Sequence, residues 1–253
     1  MKALYKRWLN TNKQSFENPP PAFYRHLYIL LIRYKSLDGY GWQAAIPDSV
    51  FELLNKKYNV TTECFASPLN AYLPNYCSVF NDSDKPFGSL GSFFDQKFTE
   101  GCYEANPPFT PELFDVMVKH MNNMLDEATG PLSFIIFAPA WVDDPHWALL
   151  TNAKYYTYSC IIPSSDHTYC DGAFHKQPKV LDESNASNKY RPAPFDTGIV
   201  FYSNAEAIKK WPITREVEED IRKAYSVAQP SLASLERAKL RGKYIPKSLR
   251  PKQ

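Results

Sequence analysis

The chain has 253 residues, of which 44% are hydrophobic, 15% aromatic and 22% charged, with a formal net charge of +2. That composition belongs to a globular protein with room for one large α/β domain or two small ones. No apolar run nears the ~18 residues a membrane span requires, and the basic start Met1–Trp8 lacks the apolar stretch of a signal peptide.

Five cysteines (Cys64, Cys77, Cys102, Cys160, Cys170) form no C-x-x-C pair, a pattern of reduced thiols. Charge is unevenly spread. Residues 1–35 carry seven Lys or Arg against Glu17 alone, residues 229–253 carry seven against Glu236 alone, and the body between them is acidic. Basic ends on an acidic body point to a polyanion, RNA first; solubilising tails are the bland alternative.

In chain order, residues 1–21 end in Asn18-Pro19-Pro20-Pro21 and read as a stiff linker or extended arm. Phe23, Leu27, Leu30, Leu31 and Tyr34 recur at helical spacing and predict a helix over 22–37, stopped by Asp38-Gly39-Tyr40-Gly41. Pro47-Asp48 opens a second helix with Val50, Phe51, Leu53, Leu54 and Tyr58 on its apolar face. Residues 60–65 read as a strand, followed by the turn Ala66-Ser67-Pro68-Leu69-Asn70 and an aromatic segment with Tyr72, Tyr76 and Phe80. Polar loops follow at 81–86 and 87–92. Residues 102–105 read as a short strand running into Asn106-Pro107-Pro108-Phe109. Thr110 and Pro111 then start a helix that reaches about Ala128. Strands are predicted over 132–137, 155–162 and 198–202, helices over 145–150 and 214–224, a long loop region over 163–196, and a flexible tail after Gln229.

Strand–turn–helix units across 45–160 predict a mostly parallel central sheet with helices on both faces. Ligands of such sheets sit at the carboxyl ends of the strands. Two motifs fall at such ends: Glu63-Cys64-Phe65-Ala66-Ser67-Pro68-Leu69-Asn70 and Glu104-Ala105-Asn106-Pro107-Pro108-Phe109.

Two prolines make the second turn stiff. It offers two acceptors, the Asn106 side-chain oxygen and the Pro107 carbonyl, and one aromatic face, Phe109. That set suits an exocyclic purine amine: one acceptor for each N–H and a ring to stack on. A rigid turn without chemistry is the competing reading of the tetrapeptide alone. The first turn lacks the glycines of a dinucleotide fingerprint. Ser67, Asn70 and backbone N–H groups suit the amino-acid end of a cofactor, and Asp82 or Asp84 suits ribose hydroxyls, although a solvated acidic turn fits those aspartates equally. His167, Cys170 and His175 lack a fourth ligand and paired spacing, so no metal is expected. Trp141, after a predicted strand end, lines an RNA channel or packs in the core. No nucleophile elbow or phosphate-binding P-loop is present.

These stretches resemble the catalytic domain of the phosphorylated-CTD-interacting factor family, the cap-specific adenosine N6-methyltransferases. The resemblance is carried by Gly41-Trp42, 46–51, 63–70, Tyr76-Cys77-Ser78, Phe87-Gly88-Ser89, 104–109, 131–134 and Asp166-His167-Thr168-Tyr169, and it covers roughly 25–225.

It implies a Rossmann-like methyltransferase fold with S-adenosylmethionine as donor and S-adenosylhomocysteine as product, and a nuclear protein, with the cytoplasm as the alternative. The acceptor would be the first transcribed adenosine, usually 2′-O-methylated, beside the 7-methylguanosine cap of an mRNA. Asn106, Pro107, Pro108 and Phe109 would be catalytic. Glu63, Phe65, Ala66, Ser67, Pro68, Leu69, Asn70, Asp82 and Glu104 would form the cofactor pocket, and Arg33, Trp141 and His167 would touch RNA. The expected organisation is a basic arm and helix over 1–40, a catalytic domain over 41–228 and a basic tail over 229–253. Animal members carry a WW domain that binds the phosphorylated polymerase tail; no Trp…Trp-Pro module occurs in these residues. An N6-adenine methyltransferase acting on DNA or internal RNA, or a silent RNA- or polymerase-binding relative, are the alternatives.

Overall fold

A computed structural model describes residues 1–37, 44–171 and 190–228. The helix stop at 38–41, the Gly41-Trp42 pair, His175 and the basic tail lie outside the described residues.

The core of the molecule is a six-stranded sheet. Its strands are β2 (Thr62–Glu63), β3 (Asn75–Tyr76), β4 (Gly101–Ala105), β5 (Leu132–Pro139), β6 (Tyr156–Ile162) and β9 (Thr197–Ser203), in the order β3-β2-β4-β5-β9-β6. β3, β2, β4 and β5 run parallel. β9 lies antiparallel between β5 and β6, which leaves β6 parallel to β5. The expected mostly parallel sheet is therefore present, with one reversed strand next to its β6 edge.

The alternation of β5 explains the two-layer cover. Ile135 and Phe137 point into one core, and Phe134, Ile136 and Ala138 into the other. The first core is filled by α3 (Asp48–Tyr58), α7 (Ala205–Lys210) and α8 (Glu216–Ala228) through Val50, Phe51, Leu54, Ala207, Val217, Ile221 and Tyr225. The second is filled by α5 (Pro111–Glu127), whose Phe114, Met117, Val118, Met121 and Leu125 recur every three to four residues, and by Leu150 of α6 (Pro145–Thr151). Helices cover both faces, as the sequence predicts. A one-turn helix, α4 (Asn81–Asp84), follows β3.

Two expectations are corrected. Residues 1–21 are not an extended arm. α1 (Lys2–Asn12) is a helix whose Trp8 is buried with Phe23, Leu27 and Leu30 of α2 (Pro21–Ser36) against Phe87. The proline run is only the joint between them, with Pro21 at the first turn of α2. Arg7 Nη2 donates to the Ala71 and Leu73 carbonyls at 2.7 and 3.0 Å, which ties α1 to the segment that follows β2.

Residues 163–196 are also not simply loop. β7 (Thr168–Asp171) pairs antiparallel with β1 (Ala44–Ala45) and with β8 (Tyr190–Pro192), making a three-stranded sheet. Local propensity missed it because its partners are 120 and more residues apart in places, and pairing partners override local composition.

Candidate active site

The site is built where parallel strands end. Cys64 N donates to the Glu104 carbonyl at 2.8 Å, and Cys77 N to the Glu63 carbonyl at 2.8 Å, so β2, β3 and β4 deliver their carboxyl ends together. The turn Asn106–Phe109 leaves β4 here and enters α5 through Thr110 and Pro111.

Asn106 is half-buried and its Nδ2 donates to the Ala44 carbonyl of β1 at 3.3 Å. The side-chain oxygen then accepts nothing from the described residues. The Pro107 carbonyl is equally free, whereas the Pro108 carbonyl is taken by Thr110 N at 2.9 Å. Two acceptors are thus left open on a turn that prolines hold rigid.

Phe109 is half-buried, with its ring edge-on to Phe195 at 5.4 Å between centroids. Phe195 meets the exposed Trp141 edge-on at 5.7 Å. The three rings make one aromatic row across the ends of β4 and β5 and the start of β9. Beside it, an open recess of about 440 Å³ is lined by Ala140, Trp141, Val142, Asp143, Asp144 and Pro145. Trp141 lies one ring away from the turn, against Phe195, a residue that sequence reasoning missed. Only the reversal of β9 places Phe195 there, and Pro194-Phe195 carries no local signal of strand order.

The loop after β2 is tied to itself. Ser67 N donates to Asn70 Oδ1 at 2.7 Å, and Ser67 Oγ donates to the same oxygen at 3.0 Å while accepting from Leu69 N and Asn70 N. These bonds close the turn, so the Ser67 hydroxyl and Asn70 Oδ1 are engaged within it. Phe65 packs on Phe93 at 5.0 Å, Ala66 N is bonded to the Cys77 carbonyl at 3.0 Å, Pro68 is buried, and Leu69 lies against the Trp8–Phe87 cluster.

Below the turn lie two carboxyls. Glu63 is 2% exposed and its Oε1 accepts from Tyr72 N and Leu73 N at 2.8 and 2.7 Å. Glu104 is 1% exposed and its Oε1 has no partner among the described residues. Burial, and then the Glu63 charge, push the Glu104 carboxyl well above the usual carboxylate range.

Four expected residues are engaged within the protein. His167 is buried, with Nδ1 on the Pro163 carbonyl at 2.7 Å and Nε2 on Thr197 Oγ1 at 2.8 Å. Both nitrogens are used, and burial lowers its pKa below the ordinary histidine value, so it is a neutral staple between β7 and β9 rather than an RNA contact. Arg33 and Asp82 bind each other at 2.7 Å, with Arg33 also over the Phe80 ring at 5.0 Å. An RNA phosphate for the one and a ribose for the other would each break that exposed pair, at modest cost. Asp84 is fully buried, accepting from Tyr34 OH at 2.6 Å and Ser83 Oγ at 2.8 Å, which removes it as a ribose acceptor. Among the described residues no group of three or more His, Cys, Asp or Glu is placed to hold a metal ion, and Cys170 is buried.

The family model described as phosphorylated CTD interacting factor 1 WW domain matches residues 1–172. The chain belongs to the phosphorylated CTD interacting factor 1 family. The matched stretch runs from α1 through β7, so in this family member it is the α/β region described above. Two curated relatives carry the name mRNA (2′-O-methyladenosine-N(6)-)-methyltransferase. The mouse protein is 36% identical over 230 residues, covering 88% of this chain and 31% of the relative. The human protein is 36% identical over 211 residues, covering 80% and 29%. The chain therefore spans about a third of the length of these relatives. Among solved structures, one titled an antibiotic-related methyltransferase covers 63% of this chain and 96% of its own at 10% identity, with a TM-score of 0.32. At that score the likeness adds nothing to the family assignment.

Proposed function

We propose that the chain is an S-adenosylmethionine-dependent methyltransferase that modifies N6 of the first transcribed adenosine, 2′-O-methylated, beside the 7-methylguanosine cap of mRNA. The observation that carries it is the pair of open acceptors, Asn106 Oδ1 and the Pro107 carbonyl, on a rigid turn beside an aromatic row. The names of the mouse and human relatives support the same chemistry. Nuclear residence and contact with the polymerase machinery accompany this reading.

The residues fit the donor. A buried carboxyl oxygen without a partner among the described residues, Glu104 Oε1, suits the positively charged end of such a molecule, and the closed turn at Ser67–Asn70 would wall the pocket. When bound, S-adenosylmethionine supplies an electrophilic methyl group. Asn106 Oδ1 and the Pro107 carbonyl would accept the two N6 hydrogens and favour a pyramidal nitrogen, freeing its lone pair for in-line attack. The N6 nitrogen held there would take that methyl group, and the proton it displaces would leave to water. The same two acceptors stabilise the positive charge as it grows on nitrogen, an electrostatic role fixed before reaction. Phe109 stacks on the adenine and, with Phe195 and Trp141, keeps it dry.

Labelled S-adenosylmethionine with capped RNAs that begin with A or with G tests the assignment. Label confined to the A-starting capped RNA is expected. Equal labelling of uncapped internal adenosines or of DNA would replace it by a broader adenine methyltransferase. Asn106→Ala should lower turnover by about 10²–10³-fold with cofactor binding retained; full activity in that variant would sink the mechanism.

A further inference from the structure

α2 is apolar on two sides. Phe23, Leu27, Leu30 and Tyr34, spaced four, three and four residues apart, pack inward with Trp8 of α1 and with Phe87. The next row, one residue on and about 100° round the helix, is Tyr24, Tyr28, Leu31 and Lys35, and beside it run Ile29 and Ile32. This second row faces water: Tyr24 is 50% exposed, Tyr28 67%, Leu31 47% and Ile32 48%. Among the described residues no other helix exposes so many large apolar side chains. A contiguous apolar patch of several hundred Å² marks an interaction surface, and a helix that is apolar all round is one that is covered on both sides.

The charge around the patch has one sign. α1 and α2 contain no Asp or Glu, and Arg25 and Lys35 stand exposed near the two ends of the outward face. Arg33, towards α4, is held by Asp82. Leu and Ile side chains offer RNA neither a flat ring to stack on nor a donor for phosphate, and two cations are few for a polyanion. Two copies of this chain meeting here would set Arg25 and Lys35 of one against those of the other, with no acid on either helix in reply. A straight face of three turns from Tyr24 to Lys35, roughly 17 Å long, fits another helix packed along its ridges.

We propose that the outward face of α2 docks an amphipathic helix of a partner protein, one whose aliphatic stripe is flanked by Asp or Glu. Tyr28, Leu31 and Ile32 form the apolar centre of the contact, and Arg25 and Lys35 meet the acidic flanks. The surface is separate from the methyl-transfer reading, since none of the residues assigned to that chemistry lies on it.

The test titrates the full chain with two fluorescent helical peptides of about 20 residues. Both carry the same Leu stripe at helical spacing; one flanks it with Glu and the other with Lys. Fluorescence anisotropy should show the Glu peptide binding about tenfold tighter or more, with affinity falling as salt rises. Ile32→Asp, at an exposed position, should weaken that binding about tenfold with Tm unchanged. Arg25→Glu combined with Lys35→Glu should transfer the preference to the Lys peptide. Equal binding of the two peptides, or no binding of the Glu peptide, overturns the proposal. Sedimentation velocity of the chain alone, flotation with phosphatidylserine vesicles and titration with single-stranded RNA test the other occupants. A dimer, vesicle binding or RNA binding that Ile32→Asp abolishes would give the face to that occupant and overturn the acidic helix.

Discussion

Asn106 shows how a single side chain is prepared for one task. One of its amide hydrogens goes to the Ala44 carbonyl, which fixes the orientation of the amide and leaves the oxygen open among the described residues. The turn's stiffness and its two acceptors were legible in the sequence because proline and asparagine constrain so few atoms. The aromatic row was legible only in part: Phe109 and Trp141 stood beside strand ends, whereas Phe195 joined them through a strand whose direction no local pattern encodes. Phe195→Ala should weaken RNA binding by about 1–3 kcal/mol, as for loss of one stacking or ring-supporting aromatic, with cofactor affinity unchanged; fluorescence anisotropy with capped RNA reads it. His167 was misread for the opposite reason. A histidine within a recognisable motif looks functional until both nitrogens are found occupied in the core. Because its folded pKa lies below the ordinary 6.5, the unfolded chain takes up a proton that the native chain refuses as pH falls. The contribution is present above about 6.5 and is lost as pH drops through that value towards the lower folded pKa. Urea unfolding at stepped pH should show this acid-side loss, and His167→Gln should flatten it.

At the scale of elements, long periodic segments were readable and short ones were not. α3, α5 and β5 follow the hydrophobic spacing almost to the residue, because each buries a whole face. β2 and β3 are two residues each, and the order they bring comes from register with β4 rather than from their own composition. α1 escaped because the basic residues that mark it as a surface element also hide its buried Trp8. Packing of elements can be tested at Gly198 of β9. A Cβ there would lie 2.1 Å from Trp147 Cζ3 of α6, so the glycine exists to let an indole lie flat on the sheet. Gly198→Ala should cost about 1–3 kcal/mol, which lowers Tm by about 2–4 °C for each kcal/mol, as seen by differential scanning calorimetry.

The whole molecule places all its chemistry on one rim. Parallel strands present their carboxyl ends together, the small β1-β7-β8 sheet is joined to that rim through Asn106–Ala44 and His167–Thr197, and the two cores below it hold the rim still. The general rule for ligand position in parallel sheets was therefore enough to point to the candidate site, but not to furnish it.

β9 carries one further consequence, for biogenesis. It is the last of the six strands of this sheet to be synthesised, yet it sits between β5 and β6 and completes the ladders of both. Until residue 203 has left the ribosome, two apolar strands have open inner edges, a state prone to mispairing with other nascent chains. Sheet closure must wait for contacts spanning some sixty residues from β5, a non-local step that slows folding. Chains released before Thr197 should be insoluble, whereas chains released after Ala228 should partition to the supernatant; in vitro translation of a truncation ladder, followed by sedimentation, would show a step between the two. An even gradient of solubility with length would mean that β5 and β6 find a partner earlier than the finished sheet implies.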